Sequence, residues 1–226
     1  MYFNVYSQTY LRIESKNHTG IVKKLEQAGA RFNDKYAQAA LMNAYVNGNM
    51  QIAQSLLEQG TSPNVRDKKY GTLLNAAVIK GDNSFIKSLI EHDADPNAKG
   101  ENDDPPILLL AKNGCNELIK LLVDHGADVN LANKDGVTAM IEAASHNQIE
   151  TVKELSSLGA NINFQDKDGW TPLMYAVKNK YKKMTKTLLD LDANPEIKNN
   201  DNLRALDYSD SQYREPEMYA MLTKKR

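Results

Sequence analysis

A chain of 226 residues with 41% hydrophobic and 25% charged side chains has the make-up of an ordinary globular protein, neither disordered nor fibrous. Its formal net charge of −1 leaves no long-range basic field to hold a nucleic-acid backbone or an anionic membrane surface. The longest apolar run, PILLLA at 106–111, falls far short of the roughly 18 residues of a membrane span, so neither nucleic acid nor membrane is an expected partner.

The N-terminal stretch MYFNVYSQTYLRIESK has neither the positive flank nor the apolar core of a secretion signal. A single cysteine, Cys115, cannot form an internal disulfide, which suits a reducing compartment. The expected location is cytoplasmic, in the protein's own cell or, for a delivered effector, in a host cell.

A 33-residue beat runs through the chain. From Ala39-Ala40-Leu41, steps of 33 reach Thr72-Leu73-Leu74, Pro105-Pro106-Ile107, Thr138-Ala139-Met140, Thr171-Pro172-Leu173 and Arg204-Ala205-Leu206. Gly60-Thr61, Asp93-Ala94, Gly126-Ala127, Gly159-Ala160 and Asp192-Ala193 keep the same interval, whereas Gly29-Ala30 comes two residues out of step. Seven units follow: 1–33, 34–66, 67–99, 100–132, 133–165, 166–198 and 199–226.

Taken in order, IVKKLEQAG (21–29) reads as the second helix of a divergent N-terminal cap, with Lys23 and Lys24 on its polar outer side. Each later unit reads as a short helix, a tight break, a longer helix and an extended turn. Gly48, Gly81 and Gly114 fall at the breaks, where positive φ is cheap for glycine. NELIKLLVDHG (116–126) places Leu118, Ile119, Leu122 and Val123 on one face, and TAMIEAASH (138–146) is the first helix of the next unit. DHGADVNLANKDG (124–136) is rich in turn residues. EPEMYAMLTKKR (215–226) closes the chain as a C-terminal cap, Pro216 standing in its first turn and Glu215, Lys224 and Lys225 facing water. No such helix hides its apolar side alone, so neighbouring units must stack.

HGADVNLANKDGVTAMIEAA and LGANINFQDKDGWTPLMYAV resemble ankyrin repeats, whose period is 33 and whose signature is T-P-L-H-x-A. Thr171, Pro172, Leu173 and Ala176 match that signature, with Met174 in place of the histidine. The resemblance is strong over 60–198 and weaker at both ends. It implies an all-α solenoid of antiparallel helix pairs with projecting turns, or fingers, forming one domain over 1–226. It also implies that a partner protein docks on the concave side made by finger tips and first helices.

Catalytic and metal chemistry find little support. His18, His92, His125 and His146 have no cysteine or second histidine at ligand spacing, and Cys115, beside Gly114 at a helix start, reads as a structural thiol. Asp103-Asp104 and the pair Asp166 and Asp168 lie in turns, where aspartate satisfies local backbone. No phosphate loop or nucleophile elbow is present. No enzyme activity, cofactor or metal is expected.

The residue before each T-P-L position reads Gly71, Asp104, Val137, Trp170 and Leu203. Three apolar residues in turns that should be wet make a docking stripe, which Tyr175 and Tyr208 extend along the first helices. Lys134-Asp135 and Lys167-Asp168 flank it, as a polar rim or as ordinary solvated turn residues. Trp170 has two readings: a binding anchor, or a ring laid on Lys178 or the next finger that only steadies the stack. Arg66, Lys68, Lys69, Lys80 and Lys99 make one region basic, and Glu101, Asp103 and Asp104 make the next tip acidic, either to steer a dipolar partner or to neutralise one another. Pro105 replaces the helix-capping threonine there.

The expected function is a non-enzymatic, monomeric protein-interaction module with Trp170, Val137, Leu203, Tyr175, Lys167, Asp168, Lys134, Asp104, Lys69 and Tyr208 at its partner surface. The alternative is a stoichiometric inhibitor or immunity protein that occludes a toxin or enzyme, or a bacterial effector acting in a host cell.

Overall fold

The computed structural model describes residues 34–68, 71–100, 103–209 and 216–223, so the cap helix expected at 21–29 and the finger residue Lys69 lie outside the described residues. The chain divides into two units, residues 1–95 and 96–226.

In the first unit, α1 (Asp34–Val46) turns at Gly48, φ +79°, into α2 (Met50–Glu58). Leu41, Met42 and Tyr45 of α1 are buried, as are Ala53, Leu56 and Leu57 of α2. A finger follows: β1 (Arg66–Asp67) pairs antiparallel with β2 (Gly71–Thr72), Arg66 opposite Thr72. The Thr72 hydroxyl accepts the Asn75 N–H and so starts α3 (Leu73–Lys80); Asp82 does the same for Phe85 at the start of α4 (Asn83–Glu91).

Tyr45 stacks on Phe85 with ring centroids 4.5 Å apart. Lys80 Nζ sits 4.4 Å over the Tyr45 ring while donating to the carbonyls of Tyr45 and Val46. The Tyr45 hydroxyl is buried without a hydrogen-bond partner among the described residues. Burial, with help from the Asp82 charge, pushes its pKa up to about 12.

The second unit repeats the pairing through α5 (Pro106–Asn113) with α6 (Asn116–Asp124), α7 (Ala139–Ser145) with α8 (Ile149–Ser157), and α9 (Pro172–Lys178) with α10 (Lys182–Asp190). A short 3-10 turn (Ala205–Tyr208) and α11 (Pro216–Thr223) end it. First helices α5, α7, α9 and the 3-10 turn pack in one row, and second helices α6, α8, α10 and α11 in another. Leu118, Ile119 and Leu122 are buried as the spacing predicts, whereas Val123 is only half-buried at the edge of the stripe. Thr138 and Thr171 cap α7 and α9, accepting from Ile141 N and Met174 N; α5 lacks such a bond because its cap is Pro105.

The last unit departs from the expected pattern. Its first helix is cut to four residues because Ser209 leaves helical space, φ −73° and ψ 138°, and returns its hydroxyl to Leu206 O.

Asparagines tie each finger base to the next. In the second unit Asn97 Oδ1 accepts from Asp128 N at 2.8 Å, Asn130 Oδ1 from Asn161 N at 2.7 Å, and Asn163 Oδ1 from Asn194 N at 2.8 Å. In the first unit Asn64 Oδ1 accepts from Asp95 N at 2.7 Å.

Candidate functional site

Three successive fingers of the second unit are built alike. Asp166 N donates to Trp170 O, and one carboxylate oxygen, Oδ1, accepts the N–H groups of Asp168 (3.0 Å) and Trp170 (2.9 Å). Asn133 holds Asp135 and Val137 in the same way, and Asn199 holds Asp201 and Leu203. An Asx side chain thus fixes each tip from within, and the tip residue's backbone is no longer free to rotate.

The second arm of the Asx residue reaches the first helix. Tyr175 donates its hydroxyl to Asp166 Oδ2 at 2.6 Å, and Asn199 Nδ2 donates to the Tyr208 hydroxyl at the same distance. In the finger before them the tyrosine position is Glu142, and Asn133 Nδ2 donates instead to Asp104 Oδ1 at 2.8 Å. Asp104 is therefore a half-buried link between fingers as well as a tip residue.

Trp170 lies against both tyrosines. Its centroid is 5.1 Å from the Tyr175 ring, tilted 46°, and 4.5 Å from the Tyr208 ring, tilted 40°. The indole is half-buried, neither sealed in the core nor free in solvent. Lys178 Nζ stands 5.4 Å from the Tyr208 centroid, so the lysine covers that tyrosine rather than the indole. Burial first, then the hydrogen bond to Asp166 and the charges of Asp166, Asp168 and Glu142, raise the Tyr175 pKa well above the usual phenol value.

The other expected residues take varied places. Leu203 is 38% exposed at its tip, and Val137 is half-buried. The side chains of Lys134, Lys167 and Asp168 are in solvent, while the Lys167 backbone is pinned, its N–H donating to Asp135 O and its carbonyl accepting from Asn200 Nδ2. Glu142 Oε1 stands 3.7 Å from both Lys112 Nζ and His146 Nδ1.

Fingers approach closely enough to exclude side chains. A Cβ on Gly136 would meet Lys167 N at 2.8 Å, and one on Gly169 would meet Asn200 N at 2.8 Å. Among the described residues no group of three or more His, Cys, Asp or Glu side chains is placed to hold a metal ion.

Spacing alone did not reveal the Asx-to-tyrosine bond or the asparagine relay. Both had a trace: Asn133, Asp166 and Asn199 keep the 33-residue interval, as do Asn64, Asn97, Asn130 and Asn163.

A family model described as Ankyrin repeats (3 copies) matches residues 11–100 and 107–201. Among solved structures, the ankyrin repeat protein EF0377 is 29% identical, with a TM-score of 0.76 over 84% of this chain and 98% of its own. An ankyrin repeat domain, ABAYE2397 from Acinetobacter baumannii AYE, is 31% identical, with a TM-score of 0.72 over 80% of this chain and 95% of its own. No curated protein matches the chain. With a repeating helix pair, Asx-locked fingers and a family match over most of its length, the chain belongs to the ankyrin repeat family.

Proposed function

We propose that this protein binds another polypeptide on the face made by the finger tips and first helices of residues 96–226, with Trp170 as anchor and Val137, Leu203, Tyr175, Tyr208 and Lys167 around it. Ankyrin repeats are generally protein–protein interaction modules, and their fold is typically non-catalytic. One observation carries the finer reading: Trp170 keeps part of its ring in solvent while its backbone is locked by Asp166 and its ring is flanked by two hydrogen-bonded tyrosines. A large aromatic surface so held loses little conformational entropy on docking. We propose the cytoplasm as its location, the lone Cys115 suiting a reducing compartment.

The test is cross-linking and capture from the native cell with wild-type, Trp170→Phe and Trp170→Ala chains, each verified as folded. Capture of one specific partner should fall at least about tenfold with Trp170→Ala and be largely kept with Trp170→Phe. Equal capture by folded Trp170→Ala protein removes the reading. Assaying the captured partner with and without this chain tells an inhibitor from an adaptor.

A further inference from the structure

What surrounds the aromatic cluster bears on the chemistry a partner would need. Trp170, Tyr175 and Tyr208 form one aromatic cluster, whose hydroxyls are held by the Asp166 carboxylate and the Asn199 amide. Asp166 is spent on three donors, the Tyr175 hydroxyl and the N–H groups of Asp168 and Trp170. Asp168 is exposed, and Asp168 and Glu142 both act electrostatically on the Tyr175 hydroxyl. The nearby cations are Lys112, 3.7 Å from Glu142, and Lys134 and Lys167, exposed on the tips. Lys178 shows what the rings accept, because the chain lays its own ammonium over one of them, Tyr208.

We infer that this face takes an arginine side chain from a basic peptide segment of the partner, its guanidinium lying against the half-buried Trp170 and Tyr175 and pairing with the exposed Asp168. The inference rests on the proposed function and names the partner's chemistry. A planar guanidinium stacks on an aromatic ring and hydrogen-bonds a carboxylate in the same pose, which an ammonium does not do. An acidic segment would confront Asp168 and Glu142, and a purely apolar one would leave the Asp168 charge desolvated without a partner.

The experiment is selection of random twelve-residue peptides displayed on phage against the full chain, followed by titration of the selected peptide. Arginine should be enriched at one position. Replacing it by citrulline or alanine should weaken binding about tenfold, and replacing it by lysine less. Asp168→Asn should weaken the arginine peptide severalfold and leave its alanine version unchanged, while Lys178→Ala should leave the arginine dependence intact. Peptides that lose binding in Trp170→Ala yet carry no enriched arginine overturn the arginine inference and leave the proposed face standing. Peptides indifferent to Trp170→Ala overturn both, and a selection without any enrichment overturns the inference.

Discussion

Tyr175 donates its hydroxyl to Asp166 Oδ2 at 2.6 Å while the other oxygen of that carboxylate accepts from Asp168 N and Trp170 N, so one buried side chain joins finger tip to first helix. Asp166→Ala removes all three bonds and should cost about 2–3 kcal/mol in urea unfolding. Tyr175→Phe keeps the ring against Trp170 and should cost about 1 kcal/mol. Asp166→Asn should be the mildest change, because its amide can donate to the phenol as Asn199 does to Tyr208.

Alkaline pH should destabilise the fold through two phenols. Tyr45 is raised from 10.0 to about 12, and Tyr175 is raised further. A raised acid holds its proton more tightly in the folded state, so its contribution is whole below pH 10 and is lost as pH climbs toward the folded pKa. Stability should thus fall progressively above about pH 10, and the phenolate absorbance of these two residues should appear together with unfolding. Tyr45→Phe removes a buried hydroxyl that has no partner among the described residues, and should both flatten that fall and raise stability at neutral pH by about 0.5–1 kcal/mol.

Gly126 and Gly169 separate backbone strain from crowding. Gly126 has φ +91° and open space around a would-be Cβ, so Gly126→Ala should cost only the left-handed penalty of about 1 kcal/mol. Gly169 has φ +80° and Asn200 N at 2.8 Å and Asn199 Cα at 2.9 Å from the same position. Gly169→Ala should therefore cost at least about 2–3 kcal/mol and shift Trp170 fluorescence, since the fingers on either side must part. Equal costs at both sites would mean that the fingers give way easily.

Lys180 takes the left-handed turn position that Gly48, Gly81 and Gly114 fill in other repeats, with φ +59°. Lys180→Gly should stabilise the protein by about 0.5–1 kcal/mol, the relief of strain being partly offset by a more flexible unfolded chain. A urea midpoint that stays put or falls would contradict this account.

The helix pairs were legible because threonine caps, glycine breaks and apolar stripes recur at one interval, and Thr138, Gly114 and Leu118 stand where the beat puts them. The shortened helix at Ala205–Tyr208 was not, since Arg204-Ala205-Leu206 keeps the repeat's phase and only the exit at Ser209 cuts it short. At the site, Trp170, Tyr175 and Tyr208 were visible as a row. That the indole lies against both phenols depends on how one repeat seats on the next, which links residues 38 apart through side-chain packing and leaves no periodic mark. The Asp166 to Tyr175 bond joins a turn to a helix nine residues on, a spacing that belongs to neither period.

The asparagine relay sets a rule for how such a chain can change its length. Asn97, Asn130 and Asn163 each grip a backbone N–H 31 residues onward. Insertion of one residue within a helix between grip and target shifts all that follows by one position and strains that clasp, whereas duplication or excision of a whole 33-residue module carries each clasp along intact. Growth by entire links is therefore the change that the seams accommodate most readily, with smaller insertions confined to the loops.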